Sequence, residues 1–366
     1  MIADPKGREI LGGGGAIAVD VSAIGRELRR LWQDATDPDR PTSAGAPVIT
    51  RACTRNLIVL AANAEEAGRA TRLVAGMAGR HPTRTFVVEA SAQGDPDRLE
   101  AHLQAHCALR GGGRHVCCEQ ISLAVGPRAR RRAAGAIMPL LVPDLPVFVW
   151  SVGAPSWDDE LLVRLLDVTD RLVVDSRTSE DATALMLELA AEERADRWVP
   201  GDFEWSRLAP WREAIAGLFD TPSTAGLPAL LERVVVRHAQ TGSPVGAALL
   251  AGWMLDRLGA ARGEAAPAAT AALEPVAGMA AGDVLAVTLT ARTPEARCEI
   301  VLAHGEAALI ARVDLADSCA LPSRSPRVVP ADEHLLEDQL DEAGAWPLYE
   351  RALERAVRLL AGDSLA

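Results

Sequence analysis

The sequence predicts an α/β fold, a three-layer, mostly parallel, doubly wound sheet followed by a smaller C-terminal α+β domain. Two patterns carry this prediction. In the first half, apolar runs of strand length alternate with helix-length segments, as βαβ crossovers require. In the second half, three strand-like runs follow one another directly, which favours antiparallel pairing. At 366 residues the chain is long enough for two domains.

The predicted organisation has four parts, each recognised by its composition. In chain order they are a disordered glycine-rich tail (1–18), an N-terminal α/β domain (19–220), a Pro/Gly-containing linker (221–228) and a C-terminal α+β domain (229–366).

The first predicted helix covers 19–35, where Ile24, Leu28 and Trp32 recur at helical spacing. A linker over 36–47 follows. The remaining N-terminal elements are predicted as strand 56–63, helix 64–80, strand 84–90, a helix before Gly111, strand 115–125, helix 128–142, strand 147–153, helix 158–168, strand 171–176 and helix 179–193, capped by Ser176 or Ser179.

The stretch from Ala134 to Pro155 carries a single charge, Asp144, in twenty-two residues. Its three interior prolines cannot propagate one membrane-spanning helix. It therefore predicts a helix end, a Pro-Asp-Leu-Pro turn and a strand buried on both faces. Ligands of open parallel sheets bind beyond the carboxyl ends of the strands. The segment Ser-Val-Gly-Ala-Pro at 151–155 is thus where a small molecule would bind.

The C-terminal domain is predicted to begin with a strand and a long helix. Its elements are strand 231–239, helix 243–259, a connector over 260–282, strands 283–291, 298–305 and 306–314 with a tight turn at 304–306, and one helix over 333–360.

Composition excludes several classes of function. The net charge of −12 argues against general nucleic-acid binding. Lys6 is the only lysine and Tyr349 the only tyrosine, so mechanisms built on a phosphate-loop lysine, a Schiff-base lysine or a Tyr-Lys pair are not expected. No secretory signal pattern opens the chain, so a cytoplasmic protein is expected.

Known catalytic motifs are missing as well. There is no Gly-x-Ser-x-Gly or His-Glu-x-x-His, and Glu119 and Asp144 are isolated carboxylates. The Gly-x-Gly-x-x-Ala match from Gly13 to Ala18 follows no strand and is interpreted as part of the tail. No catalytic residue, cofactor or metal is predicted.

The six cysteines are too sparse for a disulfide scaffold, so free thiols are expected. Cys117 and Cys118 are adjacent on a predicted strand and point to opposite faces, which argues against a shared zinc ion with His102, His106 and His115. Buried cysteine is the plain interpretation. The alternative is a redox-sensitive thiol, with Cys107, Cys117 and Cys118 as candidates and Cys107 expected in a loop.

The region 111–155 closely resembles the signature region of the glucose-6-phosphate dehydrogenase assembly protein family, OpcA. The Cys-Cys-Glu-Gln-Ile block lies at 117–121 and the Leu-Val-Pro-Asp-Leu-Pro-Val-Phe block at 141–148. Where many members have a Trp pair, this chain has Trp150-Ser151. Further matches are Ala-His-Cys at 105–107, Arg-Leu-Val-Val-Asp-Ser at 171–176 and the segment 203–220.

The resemblance implies a non-enzymatic assembly factor or allosteric activator of glucose-6-phosphate dehydrogenase, which supports the oxidative pentose phosphate pathway and NADPH supply. The dehydrogenase is the implied partner; nucleic acid and membrane are not, and self-association is left open. The alternative function is a nucleotide- or sugar-phosphate-binding enzyme or sensor, which saturable binding of NADP or glucose 6-phosphate would favour.

Trp and Arg are the residues that most often anchor protein interfaces. The segment 203–213 holds Trp205, Arg207, Trp211 and Arg212 within eight residues, and the Arg-rich start of helix 128–142 adds Arg130 and Arg131. These six are the candidate partner-interface residues. The competing interpretation is that both tryptophans pack the domain boundary.

Overall fold

A computed structural model of the protein describes residues 17–36, 48–110, 114–191, 197–262, 269–277, 283–291, 296–302, 308–315, 318–319, 322–341 and 344–362. Internal contacts divide the chain into two compact units. The first comprises 1–174, 196–199 and 332–344, and the second comprises 175–195, 200–331 and 345–366.

A nine-stranded mixed sheet forms the centre of the first unit. Its strands are β1 (Ile17–Val19), β2 (Val48–Arg51), β3 (Arg55–Ala61), β4 (Thr83–Glu89), β5 (Leu99–Arg110), β6 (Arg114–Val125), β7 (Val147–Ser151), β8 (Arg171–Val174) and β9 (Val199–Asp202). The order is β1-β5-β6-β4-β3-β7-β8-β9, with β2 beside β6.

Five of the pairings are parallel: β2 with β6, β6 with β4, β4 with β3, β3 with β7, and β7 with β8. The strands β3, β4 and β7 are almost entirely buried, as their apolar runs predict. The antiparallel pairings are β1 with β5 and β5 with β6. The parallel-rich α/β prediction is therefore confirmed.

Helices cover both faces of this sheet. They are α1 (Ile24–Thr36), α2 (Ala64–Met77), α3 (Arg130–Ile137), α4 (Glu160–Leu166) and the late helix α9 (Asp332–Asp341). Consecutive residues of β6 show the two layers. Glu119 accepts a hydrogen bond from Trp32 of α1, whereas Gln120 donates to Thr71 of α2.

The second unit is built on a seven-stranded sheet with the order β11-β10-β12-β13-β14-β15 and β16 beside β14. Its strands are β10 (Leu231–Ala239), β11 (Thr270–Val276), β12 (Val284–Ala291), β13 (Ala296–Leu302), β14 (Ala308–Leu315), β15 (Ser318–Cys319) and β16 (Ser323–Pro326). Its helices are α5 (Ala182–Leu189), α6 (Phe203–Arg207), α7 (Ala209–Gly217), α8 (Val245–Arg262) and α10 (Pro347–Leu360).

The long helix α8 is the core of this unit. It packs against β10 and β11 on one side and against α10 on another. Because neighbours surround it, α8 is apolar nearly all round, with Val245 and the run from Ala247 to Leu250 almost fully buried.

Three elements differ from the sequence prediction. The expected helix before Gly111 is the strand β5, whose alternating Leu99, Ala101 and Leu103 follow period two and pair with β6 over twelve residues. The connector 260–282 contains β11. The predicted helix 333–360 is two helices, because Pro347 begins a new one.

Smaller differences concern caps and ends. Asp181, not Ser176 or Ser179, caps α5, since its carboxylate accepts from the Ala184 amide. The tail prediction is wrong at 17–18, which belong to β1, and its remainder lies outside the described residues. The predicted turn at 304–306 and most of the linker 36–47 also lie outside them.

The two units do not divide at the predicted linker 221–228. Residues 175–195 and 200–220 belong with the second unit. One physical reason is that α6 and α8 pack together, so tightly that a Cβ at Gly246 would lie 2.3 Å from the Glu204 carboxylate.

Gly252 allows the close approach of α8 and α10. A Cβ there would lie 2.4 Å from the Ala352 carbonyl oxygen. We expect Gly252→Ala to lower the free energy of unfolding by about 1–3 kcal/mol, because backbone atoms must shift. Gly259→Ala on the same helix has open space and is the control; it should raise stability by up to about 1 kcal/mol. Denaturant unfolding of both variants measures the difference, and equal effects would contradict the packing argument.

Candidate functional site

The segment 203–213, predicted as an exposed anchor, is largely interior. It forms α6 and the first half of α7, and Asp202 caps α6 through its side chain. Trp205 is 6% exposed and Trp211 1% exposed. The structure thus corrects the expectation that these tryptophans present a contact surface, and supports the competing interpretation that they are core residues.

A buried ionic network surrounds α6. Arg207 donates to both carboxylate oxygens of Asp175 at 2.6 and 2.7 Å, and its Nη1 lies 3.4 Å from Glu204. Arg177 lies 4.0 Å from Glu204 and donates to Asp283 at 2.9 Å. Arg207 is therefore committed to an internal bidentate pair, the geometry that holds a guanidinium most firmly.

The surroundings raise the pKa of two carboxyl groups of this network. Burial raises the pKa of Glu204 to about 7, against the opposing attraction of Arg177 and Arg207. Burial likewise raises the pKa of Asp202 to about 6, although Ser176 donates two hydrogen bonds to it. A change of protonation near neutral pH therefore falls inside the fold of the second unit.

Arg212, the last of the four predicted anchors on α6 and α7, packs on Trp205. Its guanidinium carbon lies 3.8 Å from the centre of the Trp205 ring, and its Nη1 donates to the Trp205 carbonyl at 2.5 Å. The Arg212 side chain is half-buried, and these contacts with Trp205 help to hold the indole in place.

The two candidates on α3 have different environments. Arg130 is mostly buried, donating to Asp159 at 2.6 Å and to the Ala90 carbonyl at 2.9 Å. Arg131 is exposed. Of these two, only Arg131 presents its side chain to solvent for a partner.

Arg130 and Asp159 line a cleft at the carboxyl ends of β3 and β7. The cleft has a volume of about 210 Å³ and is also bordered by Leu60, Ser151, Gly153 and Pro155. Strand β4 lies on one side of β3 and β7 on the other, so this is the point where the strand order reverses. Such points are the usual ligand sites of open α/β sheets. The cleft lies where the sequence placed a small-molecule site.

The turn from β3 into α2 at this point has no phosphate-binding character. The Asn63 side chain accepts from the Glu66 amide, and Glu66 accepts from the Ala62 amide at 2.8 Å. These two hydrogen bonds satisfy the Glu66 and Ala62 amides, and they place the Glu66 carboxylate at the start of α2, where a phosphate would meet a like charge. Dinucleotide loops have glycines at the corresponding turn, and this one has none.

The cysteines are arranged differently from the expectation. Cys107 lies on β5, not in a loop, and forms a disulfide with Cys117 of the neighbouring β6, so the expectation of free thiols is wrong for this pair. Cys118 is a buried free thiol on the opposite face, and burial raises its pKa to about 11. Among the described residues, no His, Cys, Asp or Glu cluster suited to a metal ion is found.

Glu119, which sequence reasoning dismissed as isolated, is the centre of a buried cluster. It accepts from Trp32 Nε1 at 2.5 Å, from Arg51 at 2.9 Å and from Arg84. Arg84 also donates to the Leu140 carbonyl at 2.6 Å. The sequence did contain a signal for this cluster, because a charged residue within an otherwise apolar, buried strand requires charged or hydrogen-bonding partners.

The completely buried side chain of Asn56 fixes the backbone of the Pro-Asp-Leu-Pro turn through hydrogen bonds. The Asn56 amide donates to the carbonyls of Val142 and Leu145, and its oxygen accepts from the Val142 amide at 2.8 Å. Asp144 has φ of 61°, the only positive value among the described non-glycine residues. The turn is thus fixed in one conformation although its tip is exposed.

No helix among the described residues meets the length and hydropathy needed to cross a membrane. The uncharged stretch from Ala134 to Pro155 comprises the end of α3, the Pro-Asp-Leu-Pro turn and the buried strand β7, as predicted.

Two consecutive family models match this chain. The N-terminal domain of a glucose-6-phosphate dehydrogenase subunit family matches residues 74–191, and the C-terminal domain of the same family matches residues 200–353. Together the two models account for well over half of the sequence.

Curated relatives carry a related description. The putative OxPP cycle protein OpcA of Synechocystis sp. is 27% identical over 312 residues, which cover 78% of this chain and 65% of the relative. The protein of the same description in Nostoc punctiforme is 30% identical over 190 residues, covering 51% of this chain and 40% of the relative. The matched part is less than two thirds of either relative.

Solved structures show a weaker likeness. An aldose-aldose oxidoreductase from Caulobacter crescentus is 14% identical, covers 85% of this chain and 96% of its own, and has a TM-score of 0.44. An oxidoreductase from Sinorhizobium meliloti is 12% identical, covers 85% and 90%, and has a TM-score of 0.42. Scores this low say nothing about activity.

The raised pKa of Glu204 predicts a pH-dependent stability. The folded protein binds this proton more tightly than the unfolded chain, so the stabilisation is complete below the ordinary glutamate pKa and is lost as pH rises through about 7. We expect Glu204→Gln to flatten the fall in unfolding free energy between about pH 5 and pH 8, by on the order of 2 kcal/mol.

The matched control is Glu213→Gln, which changes an exposed glutamate of α7. It should keep the wild-type pH profile in denaturant unfolding at the same pH values. If Glu204→Gln and the wild type lose stability in parallel, the buried carboxyl is not the titrating group.

Proposed function

Since this chain belongs to the glucose-6-phosphate dehydrogenase subunit family, we propose that it is a non-catalytic assembly factor and allosteric activator of that dehydrogenase. In this role it supports the oxidative pentose phosphate pathway and NADPH supply in the cytoplasm. The partner is the dehydrogenase itself, and neither nucleic acid nor membrane takes part.

The observation that carries the proposal is the match of both family domains in succession over residues 74–191 and 200–353. The geometry supports the non-catalytic part. At the point where the strand order reverses, Asn63 accepts from the Glu66 amide, and the Glu66 carboxylate accepts from the Ala62 amide, so a negative charge stands where a nucleotide phosphate would approach. Arg130, the cation of the adjoining cleft, is neutralised by Asp159.

An activator must bind one state of its enzyme more tightly than another, because equal affinity shifts no equilibrium. We propose that this chain binds the assembled, high-affinity form of the dehydrogenase. Its rigid elements suit such a role, since a preorganised surface loses little conformational entropy on binding. The fixed Pro-Asp-Leu-Pro turn is one such element.

The test is dehydrogenase activity over a glucose 6-phosphate series, with the cognate enzyme alone and with this protein added. We expect a higher rate or a lower apparent KM, and co-sedimentation of the two proteins in the same samples. A control with heat-unfolded protein shows whether the native fold is required. If neither a complex nor a rate change is found, the proposal fails.

The cleft at the carboxyl ends of β3 and β7 favours one alternative, a nucleotide- or sugar-phosphate-binding enzyme or sensor. Its volume of about 210 Å³ suits a small ligand rather than a dinucleotide. Saturable binding of NADP or glucose 6-phosphate to the isolated protein, with no effect on the dehydrogenase, would favour this alternative over the activator.

The disulfide between Cys107 and Cys117 favours redox control of the activator. It joins β5 to β6 close to Trp32, Leu31 and Ile49. Reduction by a dithiol gives two thiols and removes the covalent link between the strands, while the reductant becomes a disulfide. The packing of α1 on this hairpin is the contact that would then change.

We expect a dithiol reductant to change dehydrogenase activation by the wild type, and Cys107→Ser to abolish the response. Cys53→Ser, which changes a free cysteine, is the control and should respond like the wild type. Activation would be measured before and after reduction, with free thiols counted in each sample. An unchanged response in Cys107→Ser would exclude this disulfide as the sensor.

A further inference from the structure

The cleft at the carboxyl ends of β3 and β7 has a lining that is partly apolar and partly polar. Leu60, Pro155 and Leu162 belong to its apolar part. The polar side chains of the lining are Arg130, Ser151, Ser156 and Asp159. Ser151 is buried, and the side chains of Arg130 and Asp159 are only 15% and 19% exposed. Three of the four polar groups therefore lie inside the cleft rather than at its rim.

These polar groups keep hydrogen-bonding capacity after their internal bonds are made. Arg130 donates to Asp159 and to the Ala90 carbonyl, which uses two of its five N–H groups. The Asp159 oxygen that accepts from Arg130 can accept a second hydrogen bond. Ser151 donates to the Gly153 carbonyl at 2.8 Å, so its own oxygen can still accept. The cleft therefore offers donors and acceptors side by side.

The charges of the cleft balance one another. Arg130 and Asp159 are the two charged side chains of the described lining, and they form an ion pair at 2.6 Å. The charged residues that are next to a lining residue in the chain, or bonded to one, are Glu66, Glu89, Arg131, Asp158 and Glu160. Because four of these five are acidic, an anion would be repelled by its surroundings as well as by Asp159. A cation inside the cleft would be repelled by the Arg130 guanidinium.

We infer that the cleft lined by Arg130, Ser151 and Asp159 binds an uncharged, hydroxyl-rich molecule of the size of a polyol or a single sugar ring. A hydroxyl group both donates and accepts, so adjacent hydroxyls can bridge a carboxylate oxygen and a guanidinium N–H without adding charge. The cleft volume of about 210 Å³ is below the roughly 300–1,000 Å³ typical of drug-sized ligands, which limits the size of the occupant. This inference goes beyond the proposed function and does not depend on it.

The test measures ligand binding to the isolated full chain by saturation-transfer NMR titration. The neutral probes are glycerol, glucose and myo-inositol, and each is paired with its own phosphate monoester. Glucosamine, which is a cation at about pH 6, is the positively charged partner of glucose. We expect at least one neutral probe to bind saturably with a Kd on the order of 1 mM, as suits a ligand of few atoms. Its charged partners should bind at least about tenfold more weakly.

Asp159→Asn should reverse the charge preference of the cleft. Asparagine caps helices as well as aspartate does, so α4 is retained, whereas Arg130 loses its counter-charge. We expect the neutral ligand to bind several-fold more weakly and its phosphate monoester at least about tenfold more tightly than to the wild type. The matched control is Asp167→Asn, which removes the same charge from an exposed pair with Arg197 at the other end of α4. It should bind both within about twofold of the wild type.

Gly153→Leu shows whether binding takes place in the cleft. Gly153 lines the cleft, and a Cβ there would have no atom within 4 Å, so the larger side chain fits without strain and takes up space. We expect it to abolish binding of the neutral ligand. Gly135→Leu, at an exposed glycine of α3 with the same open space, is the control and should bind like the wild type. Melting temperatures establish that the variants are folded, and if Asp159→Asn unfolds, Gly153→Leu still decides.

The outcomes separate this inference from the proposed function. If no neutral probe binds saturably, or if Gly153→Leu binds as the wild type does, the inference is overturned and dehydrogenase activation is untouched. If a phosphate monoester binds the wild type more tightly than its neutral parent, the cleft takes sugar phosphates, and the inference is overturned in favour of the alternative function. Tighter binding of glucosamine than of glucose also overturns it. A failure to activate the dehydrogenase would leave the inference standing.

Discussion

The first unit depends on a single buried carboxylate. Glu119 is 3% exposed and would be costly in the interior without partners. Trp32, Arg51 and Arg84 provide them, and these residues come from α1, β2 and β4. One acceptor thereby fixes the helix that precedes the sheet, an auxiliary strand and a central strand. Through Arg84 its influence reaches Leu140 and the turn that precedes β7.

The second unit also contains a buried glutamate beside two arginines. Glu204 lies between Arg177 and Arg207 on the buried α6, and its carboxylate lies so close to α8 that a Cβ at residue 246 would be 2.3 Å from it. Burial of Glu204 outweighs the attraction of the neighbouring cations, so the carboxyl keeps its proton up to about neutral pH.

The central sheet also has the topology that usually places a small-ligand site at the carboxyl ends of its strands. The strand order reverses between β3 and β7, and a cleft lies at their carboxyl ends. In the adjoining turn from β3 into α2, the Glu66 carboxylate accepts from the Ala62 amide. Arg130 of the cleft is paired with Asp159. The opposite edge of the sheet, where the Pro-Asp-Leu-Pro turn precedes β7, has instead a rigid exposed surface.

The sequence by itself determined the elements whose pattern is local. Uninterrupted apolar runs identified β3, β4 and β7, prolines excluded a membrane helix at 134–155, and the long motifs around Cys117 and Pro143 identified the family. Only the tertiary structure decided which side chains are buried and which neighbours they contact. Trp205 and Trp211 are typical interface residues by type, and only packing against the second unit's core shows that they are buried. The pairing of Cys107 with Cys117 and the partners of Glu119 arise from strand register and from residues up to 87 positions away, and no local pattern encodes such distances.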